Sequence, residues 1–231
     1  MKRTVFLSLA LAAILAGGCR GKGADQQASA PPAGSGAVGT SGEAGDVKGA
    51  DKDFVRDVAI ANTAEVDMAR MALQRGADAN VKKFAQMMVD DHGKAGTRLQ
   101  AVATQHHLEV PAQTDDDHKE AARKLGEKRG MNFDRDYADA MVDGHQDLVN
   151  KLESRIDKDT LEKWKTTHVD PASGKKTEAK AEAVSVTAEK SDNPVTMGLN
   201  QFAAETYPVA FAHLQAAKDL QKGLKRRTTN P

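Results

Sequence analysis

The sequence predicts an all-α protein whose folded part is a four-helix bundle. Three observations carry this. Aromatic residues make up 4% of the 231-residue chain, while Ala, Leu, Val, Met, Lys and the acidic residues are abundant, a balance that favours helix over sheet. Apolar residues keep a helical period over four long stretches. One pattern is also used twice: Phe84, Met88 and His92 match Tyr137, Met141 and His145. In both, an aromatic, a Met and a His stand at i, i+4 and i+8, the spacing that lines side chains along one stripe of an α-helix. Each His thus falls on a buried stripe, where a polar ring needs a partner.

Residues 1–19 read as an export signal. Lys2 and Arg3 form a positive start, Val5 to Leu15 an apolar run, and Ala16, Gly17 and Gly18 lead to Cys19. The apolar run is too short for a permanent membrane helix. Cys19 is the single cysteine and stands where a bacterial lipoprotein signal carries its lipid-accepting residue. The match is partial, with Ala16 in place of the preferred Leu. The expectation is a lipid anchor at Cys19 on the periplasmic side of the cell envelope, at the outer membrane, with the membrane as partner; the simpler alternative is an ordinary secretory signal. One cysteine allows no internal disulfide. Residues 20–50, rich in Gly, Ala, Ser and Pro, cannot bury enough surface to offset ordering entropy and read as a disordered tether.

The bundle domain is expected over 51–224. Helix 1 begins near Asp51 or Asp53 and ends at about Arg75, before Gly76 as a breaker. Asp78 or Asn80 caps helix 2, which turns Val81, Phe84, Met88, Leu99 and Val102 inward and stops before Pro111. Thr114 with Asp117 resembles a capping box for a short extra helix ending at Gly130. Asn132 caps helix 3, whose inward stripe is Phe133, Tyr137, Met141, Leu148, Leu152 and Ile156, and which extends towards Trp164. Residues 167–191 lack a sustained apolar period and read as an exposed insertion. Asn193-Pro194 opens helix 4, which runs to about Lys222 with Pro208 inside it, a position that kinks a helix. Lys225-Arg226-Arg227 reads as a solvated terminus. With 33 basic and 33 acidic residues, the chain offers no electrostatic case for nucleic acid.

Each long helix places one Glu or His on its apolar side: Glu65, His92, His145 and His213. At about 1.5 Å rise per residue, Glu65 lies about 17 Å and His92 about 20 Å from the turn they share. From the next end, His92 lies about 22 Å and His145 about 20 Å away; from the last, His145 and His213 each lie about 30 Å away. In an up-down-up-down bundle the four meet in one layer. Three imidazoles and a carboxylate suit zinc, iron or copper, with Asp91 and Asp143 placed to support them from behind. The competing reading is a buried hydrogen-bonded network that fixes helix register. His106, His107, His118 and His168 read as surface residues. Met71, Met87, Met88 and Met141 read as core filler.

Together, the segment around Glu65-Val66, MVDDH at 88–92, FDRDY at 133–137 leading to DGH at 143–145, and YPVAFAHL at 207–214 resemble a family of exported bacterial proteins, domain of unknown function 4142. The resemblance covers roughly residues 52–222, with 157–191 as an insertion. It implies a ferritin-like fold, export and a recurring Glu/His core, and no established reaction. Di-iron bundles carry Glu-x-x-His on two helices; here Val89, Val142 and Ala210 stand three residues before the histidines, which argues against a ferritin-type di-iron oxidase. No nucleophile elbow or phosphate loop appears. The leading expectation is therefore a non-enzymatic envelope protein acting by binding or in stress tolerance, and the alternative a metal-binding or redox bundle.

Overall fold

The structure is a computed structural model and describes residues 46–168 and 185–229. The signal segment, Cys19, the tether up to residue 45 and the middle of the insertion lie outside the described residues. Six helices make up the rest: α1 (Gly49–Arg75), α2 (Ala79–Gln105), α3 (Asp116–Glu127), α4 (Gly130–Glu153), α5 (Lys158–His168) and α6 (Pro194–Thr229). None of them is long and apolar enough to cross a membrane.

Local chemistry explains most boundaries. Asp78 caps α2 by accepting the Asn80 N–H at 2.7 Å. Asn193 caps α6 by accepting from Thr196 at 3.0 Å, with Pro194 as first helical residue. Other boundaries differ from expectation. The cap of α3 is Asp115, which accepts the His118 N–H at 2.9 Å, not Thr114. α4 opens at Gly130, whose φ of +55° suits glycine, two residues before Asn132. α6 is continuous across Pro208 and runs on to Thr229, because Leu224 is buried and Arg227 pairs with the buried carboxylate of Asp78. The basic end of the chain therefore ties α6 to α2 instead of standing free in solvent.

The stretch after α4 also departs from expectation. α4 ends at Glu153, and a turn separates it from α5, which buries Leu161 and Trp164. Trp164 meets Tyr207 and Phe211 edge-on, each at 5.2 Å. On the far side of the insertion Val186 is buried, and Ala188 forms an isolated bridge to Ile156. The flanks of the insertion are thus docked by apolar residues that a search for helical period passes over.

α1 packs against α2 and α4, and α6 packs against the same two. Ion pairs from Asp51 to Arg155 and from Asp57 to Lys151, both 2.6 Å, set the start of α1 beside the end of α4. Tyr207 donates to Glu153 at 2.9 Å and Gln221 to Asp139 at 2.8 Å, so α4 and α6 are antiparallel. It follows that α2 and α4 run in the same direction, across the diagonal. The up-down-up-down order expected from the sequence is replaced by up-down-down-up, because the connection after α2 is a return crossover: α3 lies along α1 and α4. The doubled pattern agrees, since Phe84 meets Tyr137 at 6.2 Å and His92 meets His145 at 5.3 Å between ring centres. Contacts at one constant sequence offset belong to parallel helices.

The apolar core is cut in two. One part includes Val55, Ala59, Leu99, Leu148, Leu152 and Leu199. The other includes Ala64, Ala72, Val81, Met88, Phe133 and Met141. Each long helix crosses the gap at its polar residue, so Glu65, His92, His145 and His213 occupy one level. Direction of travel matters little to that result, because His92 and His145 both lie near the middle of their helices.

Candidate metal centre

Glu65, His92, His145 and His213 are all buried, with exposures of 4% or less. The rings of His92, His145 and His213 come from three helices and lie 5.3–5.5 Å apart, centre to centre. One ring nitrogen from each lies within 4.8 Å of the other two, which makes these three the only such potential metal-binding group among the described residues.

The hydrogen bonds fix the tautomers. His145 Nδ1 lies 2.9 Å from the Met141 carbonyl; a carbonyl only accepts, so Nδ1 carries the proton and Nε2 a lone pair. His92 Nδ1 lies 3.1 Å from Asn62 Oδ1, which leaves its Nε2 as the second lone pair. His213 Nε2 lies 3.2 Å from the Asp91 carboxylate, so its Nδ1, buried with no hydrogen-bond partner, is the third. The Nε2 atoms of His92 and His145 stand 3.3 Å apart. Two lone pairs facing each other at that distance repel unless a cation lies between them.

Glu65 has a different place from the one its chemistry suggests. Its oxygens lie 3.2 Å from His92 Nδ1 and 3.3 Å from His145 Nδ1, behind the rings and away from the free nitrogens. Neither oxygen has a well-aligned hydrogen bond. Gly144 makes this approach possible: a Cβ there would stand 2.7 Å from Glu65 Oε1. Gly96 does the same for Asn62, whose Nδ2 would be 2.9 Å from an added Cβ. Two mid-helix glycines, each costing about 1 kcal/mol against alanine, thus give α1 room to present polar groups to the rings.

Burial governs the electrostatics. It pushes the Glu65 carboxyl up to about 8 and His92, His145 and His213 down to about 3, about 4 and about 4. The imidazoles are therefore neutral at pH 7, the form in which they bind metals. The Lys94 and His213 contacts hold the Asp91 carboxyl below its ordinary value against partial burial, which keeps it an acceptor.

Asp91 thus supports His213, as the sequence suggested in outline. Asp143 does not join the layer: it is exposed, because its position on α4 points away from the stripe that carries His145. Sequence reasoning missed Asn62, Gly96, Gly144 and the Met141 carbonyl. Asn62 was visible in principle, one turn before Glu65 on the same face, and a glycine inside a strong helical pattern is itself a flag. The carbonyl has no side-chain signature. His107 is exposed, and His106, His118 and His168 are partly exposed; none belongs to the centre.

A family model described as Domain of unknown function (DUF4142) matches residues 37–170. No curated protein and no solved structure matches the chain.

Proposed function

We propose that this chain, which belongs to the DUF4142 family, is a ferritin-like bundle of the cell envelope whose three buried histidines bind one transition-metal ion. The observation that carries the metal reading is the convergence of three buried imidazoles, one nitrogen of each within 4.8 Å of the other two, on rings that each also meet an oxygen acceptor. Such rear partners are what orient metal-binding histidines. Distance adds support. Two nitrogens bound at about 2.0–2.1 Å to a tetrahedral ion sit about 3.3–3.4 Å apart, against 3.3 Å between the Nε2 atoms of His92 and His145. A purely structural network would satisfy the rear nitrogens equally well, but would leave the Nε2 atoms of His92 and His145 facing each other without a proton donor.

Three neutral imidazoles suit zinc, copper or iron. In this reading Glu65 and Asp91 act from behind the rings, both fixing orientation and Asp91 supplying negative charge, and the role is binding or protection from metal stress, without a reaction of its own. Antiparallel ring neighbours and a single crossover between the second and third long helices favour the ferritin-like arrangement. Export and a lipid anchor at Cys19 rest on the sequence of residues 1–19; Cys19→Ser should release the protein from membranes into the soluble periplasm, and persistent membrane retention would overturn the anchor.

The metal reading is tested by elemental analysis of the purified chain and by titration with Zn²⁺ under a competing chelator. About one ion per chain is expected, with affinity falling at least about 10-fold in His92→Ala or His145→Ala, as for loss of one ligand. Occupancy below about a tenth of chains at saturating metal, or full binding by both variants, would defeat it.

A further inference from the structure

Away from the histidines, the seam between the start of α2 and the end of α6 does not close. It holds a groove of about 450 Å³. Phe84 and Leu224, both buried, form its floor, and the half-buried Met87 and Leu220 its walls. Gly223 lines it as well, and a Cβ there would meet nothing within 4 Å, so α6 carries no side chain where one would fill the space. Because α2 and α6 are antiparallel, the groove runs from the bundle end at Asn80 and Arg227 inward to Met87 and Ala216, about 16 Å along α6.

Its charges are unevenly placed. Lys83, towards the outer end, is exposed and has no hydrogen-bond or ion-pair partner among the described residues. Arg227 uses Nη1 on the buried Asp78 and keeps the other donors of its guanidinium. Asp78 is already occupied, by the Asn80 N–H and by Arg227. Asp219, the other acid on the groove, stands about 12 Å from Arg227 along α6, towards the inner end. A negative head thus meets cations at the outer end and an acid at the inner one.

Size and surroundings favour a small ligand over a protein. The volume falls within the roughly 300–1,000 Å³ of pockets that hold organic molecules. The apolar surface stops at the rim, where Lys82 and Gln86 on α2 and Lys222 and Arg226 on α6 are exposed. Among the described residues Val209 is the only exposed large apolar one, so the broad apolar face that a second copy or a partner helix needs is missing. We propose that this groove binds one free fatty acid, its chain along Met87, Leu220 and Leu224 and its carboxylate between Lys83 and Arg227. The site is separate from the metal centre and does not depend on it.

The test is calorimetric titration of the whole chain, with chelator present, using dodecanoate below its micelle concentration. Saturable binding of about one molecule per chain is expected. Lys83→Glu should weaken it at least about 10-fold, as for loss of a charged contact to a carboxylate. Gly223→Leu, which fills the groove, should weaken it by as much or more while far-UV circular dichroism stays unchanged. Should that variant fail to fold, Ala216→Leu fills the groove from further along α6 and carries the same expectation. Dodecyltrimethylammonium, with the same chain and the opposite head, should bind at least about 10-fold more weakly than dodecanoate. Absence of saturable binding, equal binding of the two heads, or dodecanoate binding unchanged by a folded groove-filling variant overturns the proposal. A concentration-dependent dimer that Gly223→Leu abolishes would also overturn it, by giving the groove to a second copy.

Discussion

Replacing Gly144 by alanine isolates what the centre asks of the fold. In a helix interior this exchange ordinarily stabilises by about 1 kcal/mol, because alanine restricts the unfolded chain and has the better helix propensity. At Gly144 the new Cβ would stand 2.7 Å from Glu65 Oε1, inside the distance that real Cβ atoms keep from oxygen, and Glu65 is 2% exposed. Moving it takes a buried carboxyl away from the two imidazole N–H groups at 3.2 and 3.3 Å, a cost of about 2–3 kcal/mol for disturbed buried polar groups. The net expectation is a loss of about 1–2 kcal/mol. Gly93 supplies the control: an added Cβ there meets nothing within 4 Å, so Gly93→Ala should gain the ordinary increment. In thermal unfolding at pH 7 with chelator present, Tm should fall by about 2–8 °C for Gly144→Ala and rise by about 2–4 °C for Gly93→Ala. In a Glu65→Ala background there is no carboxylate to displace, and Gly144→Ala should revert to mildly stabilising. If Gly144→Ala stabilises as much as Gly93→Ala in the parent chain, the close approach of Glu65 to α4 is wrong.

Two further outcomes follow from the same structure. The metal-free protein should lose stability steeply below about pH 6.5: burial depresses His92, His145 and His213, so the unfolded chain takes up protons that the folded one refuses, each worth up to about 1.4 kcal/mol per pH unit. Glu65 works in the opposite sense, since its raised value, about 8, makes stability decline by up to about 1.4 kcal/mol per pH unit as pH rises from about 4.5, one group against three. Chemical denaturation from pH 5 to 8 should therefore show a broad maximum near about pH 7, and a flat profile between pH 5 and 7 would contradict the burial of the three rings. At the other end of the bundle, Asp134 accepts the N–H groups of Ala77 at 3.0 Å and Asp78 at 2.8 Å. Asp134→Ala should cost about 2–4 kcal/mol by leaving these donors unpaired, Asp134→Asn distinctly less, and equal losses would show that charge rather than acceptance matters there.

Several features of this protein were legible in the chain. Helix type and most helix positions follow from periodicity and from caps such as Asp78 and Asn193, which act within a few residues of where they stand. The common level of Glu65, His92, His145 and His213 was also legible, because rise per residue is fixed and each residue lies far from its helix ends. That robustness is why the level survived an incorrect direction for α4. The doubled aromatic-Met-His pattern left direction open, since matching stripes can pack parallel or antiparallel, and the contacts of Phe84 with Tyr137 and His92 with His145 decide it.

What the tertiary structure decided is the direction in which each group is used. Whether Glu65 stands among the free ring nitrogens or behind them depends on χ angles and on the room left by Gly144, and helical spacing is blind to both. The same holds for Asn62 beside Gly96 and for Asp143 turned to solvent while Asp91 meets His213. A sequence fixes the height and face of a side chain through local geometry, but the atom it presents is settled only by its neighbours from other helices.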